Sequence, residues 1–204
     1  KADYKAYIEV IVNRKNSINN IEYKNDPTIM AWESGNELDS TLEWDREIAA
    51  YIKSIDNNHL YALGKVGSMS KMEEWLEIPE VDIVQRHYYR VHNIPWEASK
   101  DASIASDSGK VFMVGEYGWD PKNFSIDELK AAMKEIESNP DFTGDLFWAL
   151  RGSQDSGEFM AVPGAGGDWW ALYYPGRTTG DSNKEPDMKD RVNILSNHAA
   201  IMHK

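Results

Sequence analysis

The sequence predicts an α/β protein built from repeated strand–helix units with parallel strands. Three observations lead there. Short apolar runs recur about every 20 to 35 residues between breaks, amphipathic helical segments fill the intervals, and the runs are continuously apolar rather than alternating. Strands of that last kind are buried on both faces.

The elements follow in order. Residues 4–19, "YKAYIEVIVNRKNSIN", place Tyr4, Tyr7, Ile8, Ile11, Val12 and Ile18 on one helical face. "NDP" breaks that helix, because the residue before a proline is pushed out of the helical region, and "TIMAW" follows as a strand. "STLE", Ser40 to Glu43, reads as a capping box heading the helix "LEWDREIAAYIKSID". "HLYALG" is the next strand, "SMSKMEEWLE" a helix, and "VDIVQ" a strand after the Pro79 break. A short helix near "PWEASKDASIAS" leads to the strand "KVFMVG". "SIDE", Ser125 to Glu128, heads a helix through about Ser138, "GDLFWAL" is the last strand, and "DMKDRVNILSNHAAIMH" the last helix. The stretch from Arg151 to Pro186, rich in Gly and aromatics, reads as a loop, and a loop of that length is usually functional.

Composition narrows the partners. A net charge of -12 argues against nucleic acid, whose binding depends on Lys and Arg neutralising phosphates. With no cysteine there is neither a disulfide framework nor a thiolate metal site. No apolar run approaches the roughly 20 residues of a membrane span, and the opening residues do not resemble a secretory leader. Eight Trp and ten Tyr supply flat apolar faces with polar tips, suited to sugar rings as well as to a core.

Parallel repeats of this kind close as a doubly wound sheet or a barrel. No Gly-rich phosphate fingerprint follows a strand, which counts against a nucleotide-binding sheet. In a barrel the active site is built at the carboxyl ends of the strands. Here the first strand delivers Asn36 and Glu37, the third His87 and Tyr89, the fourth Glu116, and the last Trp148. Taken singly, each has an ordinary structural explanation: a solvated loop Glu, a hydrogen-bonded core His, a core Trp. Together, two carboxylates at the ends of different strands are the equipment of glycoside hydrolysis, one to protonate the leaving oxygen and one to attack the anomeric carbon.

The segments "YKNDPTIMAWESGNEL", "VDIVQRHYY", "KVFMVGEYG" and "GDLFWAL" resemble the fourth, sixth, seventh and eighth strands of the family 5 glycoside hydrolases of clan A, retaining enzymes on a (β/α)8 TIM barrel. The opening "NRKNSINNIEYKNDPTI" is most similar to the endo-β-1,4-mannanases of that family. The resemblance implies that Glu37 is the acid/base, Glu116 the nucleophile, and Asn36 the contact to the sugar 2-hydroxyl. It implies too that His87 and Tyr89 line the site, and that Trp148 forms the platform under the sugar. Trp119 and Trp169, the latter within "GGDWWALYYPG", are candidate stacking faces for further sugars, or alternatively cover the rim of the barrel.

Hydrolysis of β-1,4 bonds in a plant-type polysaccharide, most of all β-mannan, is therefore expected, with no metal or cofactor. A β-1,4-glucanase and a non-catalytic sugar-binding fragment are the alternatives. Residues 1–204 are expected to form the carboxyl-terminal portion of one catalytic barrel, roughly strands 4 to 8. The expected partners are the polysaccharide and the amino-terminal part of the barrel, on another chain or missing here. A secreted or cell-surface location is expected from the substrate class alone.

Overall fold

The computed structural model describes residues 1–65, 73–118, 123–151, 172–173 and 188–203. In chain order its elements are α1 (Ala2–Val12), β1 (Ala31–Glu33), α2 (Leu42–Ile55), β2 (Leu60–Ala62), α3 (Glu73–Leu76), β3 (Ile83–Tyr88) and α4 (Ser99–Asp107), then β4 (Val111–Tyr117), α5 (Ile126–Ser138), β5 (Phe142–Phe147), β6 (Leu150–Arg151), β7 (Leu172–Tyr173) and α6 (Met188–Met202). The first five strands form one sheet in the order β1-β2-β3-β4-β5. The pairings of β1 with β2 and of β2 with β3 are parallel, with Ala31 opposite Leu60 and Ala62 opposite Ile83. The predicted alternation of strand and helix is therefore present.

Contacts divide the chain into two units, Lys1–Arg86 with Ser103–Met113, and His87–Ala102 with Val114–Lys204. In the first, α2 buries Asp45, Ile48, Ala49 and Ile52, the stripe that a 3.6-residue period puts on one face. These meet a core that includes Tyr61, Leu63, Ile83, Val84 and Phe112. In the second, α5 does the same with Leu129, Ala132, Met133 and Ile136, among Tyr88, Val91, Ile94, Val114 and Tyr117. Each fully buried Ile or Leu contributes about 1.5–3 kcal/mol. Among the described residues no helix is long and apolar enough to cross a membrane.

Several predicted boundaries move, each for a local reason. The first helix stops at Val12 instead of running to Asn19. Asn13 caps it through a side-chain bond to the Glu9 carbonyl, and the Asn16 and Asn19 side chains then accept from the backbone N–H groups of Ile18 and Ile21. Asparagines that bond their own backbone compete with the helix, and they leave Ile18 94% exposed, off the predicted face. The helix α2 is capped by Thr41, whose hydroxyl accepts from Trp44 N–H at 3.3 Å. Ser40, the predicted cap, instead donates to the buried Asp45 carboxylate at 2.8 Å, and Trp75 Nε1 donates to the same group at 2.6 Å. The capping box at Ser125 and Glu128 is present as predicted. Within the stretch read as loop, Leu172–Tyr173 pairs in parallel with Leu150–Arg151.

Candidate active site

The first unit positions Asn36 and Glu37. The ladder that ends β1 is continued by one bond, Ser34 N–H to the Ala62 carbonyl at 3.3 Å. Gly35 then turns the chain with φ +138°, a value that glycine adopts without a Cβ penalty, and Glu37 has φ +52°. A non-glycine residue in that left-handed region is uncommon and is held there by its surroundings. Asn36 and Glu37 are exposed at the loop surface. Gln85, buried on β3, donates to Glu33 at 2.5 Å and ties β3 to β1.

The second unit brings His87, Tyr89 and Glu116 together. The Tyr89 hydroxyl donates to Glu116 Oε2, and His87 Nδ1 lies 3.4 Å from the same oxygen. The two rings meet edge to face at 6.4 Å between centroids. The His87 side chain is buried and Glu116 is largely so. A hydroxyl donor aimed at a carboxylate stabilises its charge and fixes its direction. Glu116 sits near the end of β4, followed by Tyr117, which faces the other way toward Met133 of α5. Burial pushes the Tyr117 hydroxyl well above its ordinary value, so it stays neutral in the core.

Trp148 follows β5, and its N–H donates to the Tyr117 carbonyl at 2.7 Å, bringing its backbone beside the end of β4. Its side chain is 44% exposed. Trp119 and Trp169 lie outside the described residues. Sequence reading named no residue for the end of β2. That position is Gly64, whose backbone N–H and carbonyl both bond to the segment carrying Glu37. Its only signal in the sequence is a glycine where the apolar run "HLYALG" stops.

Residues 1–117 match the family model described as GH family 5 beta-mannosidase-like. Mannan endo-1,4-beta-mannosidase 1 of Arabidopsis thaliana is 44% identical over 202 residues, covering 74% of this chain and 49% of that protein. The probable mannan endo-1,4-beta-mannosidase F of Aspergillus flavus is 30% identical over 185 residues, covering 76% and 38%. The chain thus spans less than half the length of either. Among solved structures, the endo-1,4-beta-mannanase of Rhizomucor miehei aligns with a TM-score of 0.72 at 24% identity over 98% of this chain and 60% of that one. The endo-1,4-beta-D-mannanase of Thermotoga petrophila RKU-1 aligns at 0.72 and 22%, over 95% and 64%. These likenesses identify the fold as part of a (β/α)8 barrel. With the family model covering more than half of its residues, the chain belongs to glycoside hydrolase family 5.

Proposed function

We propose that the protein carrying this chain hydrolyses β-1,4 bonds of β-mannan with retention of configuration. The convergence of Tyr89 and His87 on one oxygen of Glu116, at the end of a barrel strand, carries this reading. The chemistry is a double displacement. Glu116 attacks the anomeric carbon while Glu37 gives its proton to the departing glycosidic oxygen, leaving a glycosyl ester on Glu116. Glu37 then takes a proton from water, whose oxygen attacks the same carbon and releases Glu116. Asn36 holds the sugar 2-hydroxyl, and Trp148 offers its exposed face to a sugar ring. Trp119 and Trp169 are assigned to neighbouring subsites. For this mechanism the two carboxyl groups stand about 5–5.5 Å apart; a crystal structure with a much larger separation removes Glu116 as the nucleophile.

The mannan assignment rests on the names of the relatives, and the remaining part of the barrel is the proposed partner. In the first unit Tyr7 and Val10 of α1 are 61% and 69% exposed. In the second, Leu146 is 58% exposed, and Leu150, 63% exposed, lines a hollow of about 860 Å³ between β5 and α6. These apolar faces suit further strand–helix units of such a barrel. A polymeric wall substrate would be met outside the cell, so recovery of the protein from medium rather than cytosol is expected.

The deciding assay measures new reducing ends on soluble galactomannan and on a soluble β-1,4-glucan, with Glu116→Gln as control. Turnover on mannan that vanishes in the control supports the proposal. Turnover on glucan alone makes the protein a glucanase, and none on either reduces it to a sugar-binding barrel.

A further inference from the structure

We infer that Gly64 is a positioning residue for the general acid, a template against which the segment Ser34–Leu38 is set. This rests on the proposed role of Glu37. Three features of one residue meet here. The Gly64 N–H donates to Ser34 Oγ at 2.9 Å, and the Gly64 carbonyl accepts from Leu38 N–H at 3.0 Å, so both of its backbone groups hold the two ends of the segment. Between those ends, its Cα lies directly against Gly35. A Cβ built on Gly64 would stand 1.8 Å from the Gly35 carbonyl oxygen and 2.7 Å from the Gly35 carbon and nitrogen. Those are backbone atoms, which cannot swing aside as a side-chain tip can.

A further bond reinforces the clamp. The Tyr4 hydroxyl donates to the Ser34 carbonyl, and Ser34 is itself buried. The turn between the clamped ends contains the two unusual backbone conformations of this region, Gly35 at φ +138° and Glu37 at φ +52°. Glu37 is thereby fixed by its backbone, two residues after Gly35 and one before the Leu38 bond. Any side chain at position 64 must push Gly35 away, and the displacement passes directly into the aim of the Glu37 carboxyl. A catalytic group misplaced by about 1 Å can cost about a hundredfold in rate.

The test separates misplacement of an acid from general damage. Protonation of the leaving oxygen is needed for a sugar alkoxide but not for a dinitrophenolate, so kcat/KM, which reports the step up to glycosyl-enzyme formation, is compared on mannan and on 2,4-dinitrophenyl β-mannobioside. In the full-length protein, Gly64→Ala is expected to lower kcat/KM on mannan by roughly a hundredfold or more, within the range of general acid catalysis. The same variant should lose less than about tenfold on the activated substrate, with Glu37→Ala showing the same asymmetry. Ser34→Ala, which removes the hydroxyl but adds no bulk, should show a weaker version and serves if Gly64→Ala does not fold. Equal losses on both substrates, or none on either, overturn the positioning role while leaving the glycosidase reading intact. If the unsubstituted protein turns over neither substrate, or Glu37→Ala shows no asymmetry, the assignment of Glu37 falls and the role of Gly64 with it.

Discussion

His198 offers a stability prediction whose sign can be worked out from geometry. It is buried on α6, with Nδ1 2.9 Å from Glu137 of α5 and Nε2 2.7 Å from Asp145 of β5. A carboxylate only accepts, so both ring nitrogens must carry protons to bond both partners. Burial opposes that charge, but Asp145 and then Glu137 outweigh it and raise the pKa above 6.5. A raised folded-state pKa means that the stabilisation is fully present below pH 6.5 and is lost as the pH climbs through the folded value. Replacing His198 by Ala leaves two carboxylates facing each other without their cation. Loss of one member of a buried ionic cluster costs about 3–5 kcal/mol. The Glu137 side chain keeps 21% of its exposure and can turn to water, which favours the lower end, about 3 kcal/mol. At about 2–4 °C per kcal/mol for 150–250 residues, Tm should fall by about 6–12 °C. Thermal melts of the two proteins at about pH 5.5 and about pH 8.5 should show the gap narrowing toward the higher pH. A gap that stays constant or widens would mean that the folded protein holds this imidazole neutral, and the argument from the two acceptors would be refuted.

Three further outcomes are expected. Tyr89→Phe removes one hydrogen bond to Glu116, and at about 1.5–3 kcal/mol for a bond to a charged group it should lower kcat on mannan by about ten- to a hundredfold; an unchanged kcat would detach Tyr89 from the proposed nucleophile. Asp56 is opposed by burial but bonded by Trp32 Nε1 at 2.6 Å, His59 Nδ1 at 2.7 Å and Asn58 N–H at 2.9 Å, which together hold its pKa below 3.8. Its contribution is therefore present above pH 3.8 and lost as the pH falls through the lower folded value, so Asp56→Asn should flatten the acid arm of a stability–pH curve, and an unchanged arm would contradict this. Ser125→Ala should cost about 1 kcal/mol in urea unfolding by opening the capping box of α5, while Ser125→Asp should cost little.

What the sequence made legible was whatever sits close together in the chain. Asn36 and Glu37 stand side by side after one strand, His87 and Tyr89 are two residues apart at the end of another, and Ser125 and Glu128 carry their cap within four residues. The unread features join distant positions. Gly64 meets Gly35, Gln85 reaches Glu33 52 residues away, and His198 reaches Glu137 across 61. A glycine required by another backbone looks, in one dimension, like a glycine that merely ends a strand. The misplaced end of α1 has a different origin. Apolar spacing carries the helix through "NRKNSIN", where asparagine side chains supply local bonds that periodicity does not count. Likewise Ser40 and Thr41 can both cap by type, and a buried carboxylate five residues on recruits the first, leaving the second to cap.

The order of strands in the sheet has a bearing on synthesis. Across the five strands, spatial order and chain order coincide. As the polypeptide leaves the ribosome, amino end first, β1 is laid down before β2, and each later strand finds its immediate neighbour already made. None of these five must wait for a strand synthesised after its successor, and each closure joins strands that are consecutive in the chain. The Gly35 carbonyl is likewise in place before Gly64 emerges to close upon it.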